Sequence, residues 1–221
     1  MKLTVTTFCT LDGVMQSPGG PEEDTAGGFA YGGWVPPFAD ADFGRIIDGI
    51  FRRADAFLLG RRTYDAMASH WPQVTDPDDI GAAKLNGLPK YVVSSTLSNP
   101  AWNDTHVVAP ADLLATITEL KARDGGELQV HGSAMLLQTL NKHRLVDAYH
   151  VWTFPVVLGE GKRLFGDGTV PTGMAHIHTD VTGTGVVVST YAPTGTPATG
   201  TVVREEGRNL IQVGNEVTDP W

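Results

Sequence analysis

Cysteine is almost missing from this chain: Cys9 is the only one in 221 residues. That excludes an intrachain disulfide and any thiolate-rich metal site. The surrounding VTTFCT is apolar and β-branched, which suits a buried, inert thiol better than a nucleophile. Long apolar runs are missing too, and none approaches the roughly 20 residues that a membrane-spanning helix needs. The first residues, MKLTVTTFCTLDG, have neither the long apolar core nor the small-residue cleavage site of a signal peptide, so a cytoplasmic protein with no membrane partner is expected. Basic charge is the third shortage. Sixteen Lys and Arg face 25 Asp and Glu, for a net charge of −9. A nucleic-acid binder needs a basic face to displace counterions, so no nucleic-acid partner is expected.

What is present suits one well-cored α/β domain, with 41% hydrophobic residues. Residues 2 to 9 (KLTVTTFC) read as a strand closed by the turn LDG. Residues 16 to 37 are dense in Gly and Pro and lack periodicity, as functional loops of that length do. The period then changes: Phe43, Ile46, Ile47, Ile50, Phe51 and Ala54 fall at helical spacing, with Asp42 placed to cap the first turn. There follow a strand DAFLLG, a helix RRTYDAMASHW stopped by Pro72, an Asp-rich polar loop, and the strands PKYVVSS and THVVA. Asp112 opens a helix with Leu113, Leu114, Ile117 and Leu120 on one face. ELQVH is a strand, Gly132 and Ser133 a corner, and AMLLQTLNKH a helix. After about Leu145 only strands follow: DAYHVWTFPVVLG, MAHIHTD and TGVVVSTYAP.

Strands alternating with helices, then strands alone, predict a mainly parallel sheet covered by helices on both faces and finished by antiparallel strands. The domain is expected over residues 1–193. The extension 194–221 is rich in Thr, Gly and Pro, and its TVVREEGRNLIQV reads as a hairpin around Gly207, either an extra edge hairpin or a partner-binding arm.

In such sheets ligands collect outside the carboxyl ends of strands, where helix N-termini present free N–H groups. Two corners fit: Gly60-Arg61-Arg62-Thr63 and His131-Gly132-Ser133. At each, glycine permits close approach of an anion and the following hydroxyl can donate. The arginines add a planar fork that matches a phosphate monoester such as the 2′-phosphate of NADPH. Arginine at a helix start is poorly placed for the macrodipole, yet GRRT by itself is equally compatible with a solvated helix start, and HGSA with an ordinary Ser-capped helix. LGEGKRLF lacks the Ser or Thr and the strand-loop-helix setting of a phosphate loop, and reads as a turn between antiparallel segments.

Taken in order, TLDGVM, GGW, DAFLLGRRTYDAM, YVVSSTL, LQVHGSAMLLQTL and VDAYHVWTFPVVLGEGKRLF resemble the dihydrofolate-reductase-like superfamily, in the branch related to the C-terminal reductase half of the riboflavin-biosynthesis deaminase/reductase. The resemblance runs from about Leu3 to Ala192. It implies a three-layer α/β fold, a homodimer, and an NADPH-dependent reductase acting on a small pterin-like or pyrimidine-like heterocycle. Carried over by position, Gly60, Arg61, Arg62 and Thr63 would meet the 2′-phosphate and pyrophosphate. Ser94, Ser95 and Thr96 would flank the adenosine, and Gly132, Ser133 and Ala134 would form the second phosphate corner, although relatives often have paired glycines where Gly132 stands alone. Thr10, Asp12 and Gly13 would lie beside nicotinamide and substrate.

The acid that such reductases keep near the first helix would be Asp40 or Asp42, with Asp12 as a third candidate. Asp42 also reads as an N-cap, and Asp12 as a turn residue. Trp34, at the end of the glycine-rich loop, is the best of Trp34, Trp71 and Trp102 for walling a flat heterocycle. His176 and His178 share a strand face without a third ligand, so no metal site is expected. His131 reads as a hydrogen-bonding strand-end residue. The other functional reading is an NADP(H)-binding protein of the same fold that has lost its chemistry.

Overall fold

The alternation in the first ten residues becomes β1 (Lys2–Thr10) of the computed structural model, which describes residues 1–218 and Pro220. Leu3, Val5 and Cys9 enter one core and Phe8 the core on the opposite face, as the two-residue period of a strand requires. Both neighbours of β1 are parallel to it: β5 (Glu127–His131) and β6 (Ala148–Phe154). Beyond β5 lie β2 (Ala54–Gly60), β3 (Lys90–Val93) and β4 (Thr105–Val108), all parallel. Beyond β6, β8 (Val187–Gly195) pairs antiparallel with β6, and β7 (Gly173–Val181) pairs antiparallel with β8. The order is β4-β3-β2-β5-β1-β6-β8-β7.

Two helical layers cover this sheet. On one face, α4 (Leu113–Lys121) and α5 (Ala134–Lys142) bury Leu113, Ile117, Leu120, Leu136, Leu137 and Leu140 against Leu3, Val5, Leu58, Leu128 and Val130. Leu114, expected on the buried stripe, is 40% exposed; the inward face is the narrower set spaced four and three apart. On the other face lie α1 (Ala41–Phe51), α2 (Arg61–His70) and α3 (Ile80–Gly87). Ile46 and Ile50 pack on Phe8, Trp152 and Phe154, while Tyr64 and Leu85 pack on Phe57, Leu59 and Val92. No helix among the described residues is long and apolar enough to cross a membrane. The three-layer α/β fold is as expected.

Two local readings change. Asp40, not Asp42, caps α1: its backbone is extended and Oδ1 accepts from the Phe43 N–H at 2.7 Å. Asp42 falls inside the first turn, where a negative charge complements the macrodipole. The Asp-rich segment before β3 also contains α3, opened by Asp79, whose Oδ1 accepts from the Ala82 N–H at 2.8 Å. Gly81 and Gly87 had disguised its period; Gly81 lets the helix lie against the Phe51 ring.

Lys90, fully buried at the start of β3, donates to the carbonyls of Leu85 (2.8 Å) and Leu88 (2.7 Å), so that a strand residue closes the end of α3. Burial pulls its ammonium down to about 8. The extension forms a separate antiparallel sheet of β9 (Gly200–Glu205), β10 (Arg208–Val213) and β11 (Glu216–Thr218). The β9–β10 hairpin turns at Glu206 and Gly207, both with positive φ (47° and 79°), and the third strand was not expected. None of the residues in these three strands is buried. Residues 219 and 221 of the extension lie outside the described residues.

Candidate functional site

β3, β2 and β5 are adjacent, and each ends in a polar corner at the same edge of the sheet. Gly60 pairs with Val93, which puts Ser94 beside Arg61. The β2 and β5 corners are in contact. A Cβ on Gly60 would come within 1.9 Å of Ser133 Oγ, although the backbone of Gly60 is ordinary extended chain (φ −77°). Glycine is there for space. Gly132 (φ 72°) and Ser133 (φ 73°) are both left-handed, turning the chain sharply from β5 into α5.

α2 and α5 start with no side-chain cap, whereas α1 and α3 are capped by aspartates. Their first N–H groups therefore have no intrahelical partner and point outward at the junction, with the positive end of each macrodipole behind them. The hydroxyls of Thr63 and Ser133 make no hydrogen bond among the described residues. Arg61 engages Asp65 through Nε (2.8 Å to both oxygens), which leaves its terminal nitrogens available. Arg62 is largely exposed, and its Nη1 lies 3.7 Å from Asp24 Oδ1. Uncapped helix starts, free hydroxyls and two arginines make a donor set that fits the phosphates of a dinucleotide. At the β3 corner Ser94 Oγ accepts from the N–H groups of Thr96 (3.1 Å) and Leu97 (3.0 Å); it shapes the turn and leaves Ser95 and Thr96 exposed.

Loop 16–37 reaches this edge through Asp24, which faces Arg62. Gln16, buried, donates to the carbonyls of Asp24 and Ala26 (both 2.9 Å), and Ser17 Oγ bonds Gly20 and Asp24. Trp34 is buried, donates from Nε1 to Gln16 O (2.9 Å) and stands edge-on to Phe154. It anchors the loop's end in the core.

Beyond the loop, β1 ends in a braced turn. Thr10 Oγ1 donates to Asp12 Oδ1 at 2.6 Å and accepts from the Val14 N–H at 3.0 Å, and Gly13 turns the chain at φ 82°. Asp12 also accepts from the N–H groups of Leu158 (3.2 Å) and Gly159 (2.8 Å). The Thr10 hydrogen bond, with those amides, holds the Asp12 carboxyl down at about 2. Asp40 is likewise held below its ordinary value, first by the Phe43 N–H and then by the Thr184 N–H (3.0 Å) in the β7–β8 turn. Asp42 points along the outer side of α1, 3.3 Å from Arg45. Of the three carboxylates expected to include an acid, Asp12 and Asp40 are ionised hydrogen-bond acceptors that join chain segments. A proton donor would need the opposite environment.

His131 is the strand-end residue expected. Its Nε2 lies 3.0 Å from Gln129 Oε1, its ring stacks on Phe51, and burial pushes it down to about 4, so it is neutral. His176 and His178 turn to Thr179 and Asp180, and no cluster of three metal ligands occurs among the described residues. Trp71 follows α2 in a short 3₁₀ turn, and Trp102 is buried with its Nε1 bonded to Asn86 Oδ1.

Lys162 and Arg163 are the residues that sequence reasoning missed. The GEGKR segment pairs through Arg163 with Val14, bringing Lys162 Nζ onto Asp24 and Arg163 onto the Asp12 carbonyl. Gly161 (φ 120°) allows this, since a Cβ there would lie 2.6 Å from Val14 Cγ1. The available signal was the Lys-Arg pair directly after a glycine turn.

The RibD C-terminal domain family model matches residues 1–188. The chain is 28% identical over 183 residues to the uncharacterized protein YyaP of Bacillus subtilis (strain 168), covering 82% of this chain and 89% of that one. Among solved structures, a protein assigned to riboflavin biosynthesis in Shewanella sp. PV-4 superposes with a TM-score of 0.66 at 22% identity, over 88% of this chain and 99% of that one. Enterococcus faecalis dihydrofolate reductase, complexed with NADP(H), superposes with a TM-score of 0.54 at 14% identity, over 87% and 96% of the two chains.

Proposed function

The chain belongs to the RibD C-terminal domain family, and from that footing we propose that it is an NADPH-dependent reductase that transfers a hydride to a small pterin-like or pyrimidine-like heterocycle. The observation that carries this is the contact between the β2 and β5 corners. Two uncapped helix N-termini meet where Gly60 lets Ser133 lie against the backbone, with Arg61 and Arg62 beside them. The family supports a reductase-type activity, and the solved dihydrofolate reductase of this fold holds NADP(H).

In this reading Arg61, Arg62 and Thr63 bind the 2′-phosphate and the near pyrophosphate oxygens, and Gly132, Ser133 and Ala134 bind the far ones. Ser95 and Thr96 border the adenosine. Thr10 and Gly13, on the turn braced by Asp12, position the nicotinamide and the substrate. When bound, the nicotinamide supplies the hydride, and the chain's part is orientation and exclusion of water. Asp12 and Asp40 act by bracing and Asp42 faces Arg45, so the proton that balances the hydride comes from solvent or is already carried by a protonated substrate. Pairing of two copies through the late strands belongs to the same proposal, since Ile177 and Val181 are exposed on the edge strand β7.

Titration of the chain with NADPH and NADH tests the cofactor. NADPH is expected to bind more tightly, and the preference should fall more than about tenfold in an Arg61→Ala, Arg62→Ala double variant, because a charge-assisted contact is worth about 1.5–3 kcal/mol. Equal affinity for both cofactors in the wild type would overturn it. The engagement of Asp12 and Asp40 as acceptors favours one second reading, an NADP(H)-binding protein with little turnover. Oxidation of NADPH by members of a heterocycle panel supports the reductase, and tight binding without turnover supports the binder.

A further inference from the structure

α5 runs from the β5 corner back across the sheet, and its far end borders a cavity of about 480 Å³ at the opposite edge. The other walls come from the start of β6, the segment before β7 and the end of β8. Asn141, nine-tenths buried in the last turn of α5, accepts at Oδ1 from Tyr149 Oη at 2.5 Å, while its Nδ2 has no partner. Arg144 lines the same cavity, is exposed, and makes no ion pair and no side-chain hydrogen bond among the described residues. The one carboxylate in the wall, Asp147, is already committed to Lys121 at 2.7 Å and the Leu3 N–H at 2.8 Å. Phe165 and Met174, 45% and 36% exposed, form an apolar lip, with the Phe165 ring 5.9 Å from that of Tyr149.

Arg144 occupies an unexpected place. The Leu145 N–H bonds back to Leu140 O, the closing bond of a helix C-terminus whose next-to-last residue must be left-handed. Glycine is the usual choice there, and this chain has arginine at φ 52°. Capping alone would not select an arginine for that backbone.

We propose that this cavity is a second ligand site, separate from the cofactor edge, that takes a small organic anion with an apolar body. The head group meets the Arg144 guanidinium, and the body lies along Phe165, Met174 and the Tyr149 ring, with Asn141 Nδ2 buried behind the wall. The site does not depend on the reductase reading, because it lies at the opposite end of α5 from the Ser133 corner.

The probe is 1-anilinonaphthalene-8-sulfonate, an aromatic sulfonate whose fluorescence reports burial, titrated into the full chain with saturating NADP⁺ present. Saturable binding is expected. Arg144→Gly, which suits the left-handed backbone and keeps the fold, should weaken it about tenfold or more, and Arg144→Lys should retain most of it. Phe165→Ser should weaken it as well. Octanoate should displace the probe where octanol at the same concentration does not. The proposal is overturned if the wild type shows no saturable binding, if Arg144→Gly or Phe165→Ser binds like wild type, or if octanol competes as well as octanoate. Melting curves of each variant establish that it is folded.

Discussion

Asp24 holds two cations at once, with Arg62 Nη1 3.7 Å from one carboxylate oxygen and Lys162 Nζ bonded to the other. Burial by itself would raise the Asp24 carboxyl, but the Lys162 bond, an N–H bond from Ala26 and the two positive charges bring it below its ordinary value. The carboxylate therefore stands as an anion beside the guanidinium proposed to receive a phosphate. Asp24→Asn removes that competitor with little change of shape. An exposed ion pair is worth about 0.2–1 kcal/mol, so NADPH affinity should rise about two- to fivefold while NADH affinity stays put, as read by fluorescence titration. An unchanged NADPH affinity would place the phosphate away from Arg62.

Gly60→Ala tests the contact between the corners. The added methyl has no backbone objection to meet, but it collides with Ser133, at 1.9 Å from Oγ and 3.0 Å from Cβ. Overpacking of this kind costs about 1–3 kcal/mol, and urea denaturation should show the loss. Ser133→Gly in the same chain removes the obstacle and suits φ 73°, so the double variant should recover most of the stability. Without that recovery the two corners are not in contact as described.

The Asp12 brace has a pH signature. Its carboxyl falls from 3.8 to about 2 on folding, so the unfolded chain binds the proton more readily. The stabilisation is complete above pH 4, declines as the pH falls through the interval between those two values, and is gone near the lower one. Urea midpoints of wild type and Asp12→Asn, measured from pH 6 downward, should differ by a constant amount until about pH 4 and then converge. Curves that stay parallel to pH 3 would remove Asp12 from its bracing role.

The extension should be dispensable for the fold. None of the residues in β9, β10 or β11 is buried, and the family match stops at residue 188. A chain ending at Gly195 should unfold with a free energy within ~1 kcal/mol of the full chain, against a typical total of roughly 5–15 kcal/mol. A larger drop would make the small sheet part of the domain's stability.

Much of this molecule could be read from residue pattern, and the exceptions have physical causes. β1, β2, β5, α2 and α5 were legible because apolar period and turn chemistry agreed at both ends of each. α3 was hidden, since a short helix with two glycines and one fully buried leucine has little period to detect. Choosing between Asp40 and Asp42 as the cap needed the chain's path, which Thr184 on a distant turn helps to hold. The Ser94 corner could be placed from the family resemblance, and the Gly60 and Gly132 corners from strand ends alone. Their contact could not, because it depends on which strands are neighbours. Lys162 and Arg163 reach the site only through pairing with Val14, a relationship that no local signal carries.

The position of β1 bears on how the chain comes to be folded. β1 is made before both of the strands that flank it: Lys2 pairs with Glu127, and Thr4 with Ala148. At roughly 5–20 residues per second, a ribosome releases β1 several seconds before either neighbour exists. During that interval an apolar, β-branched segment waits with both edges unpaired, the condition that invites pairing with another nascent chain. Yield in a cell would then be set during synthesis, by what shelters β1 until its neighbours are made.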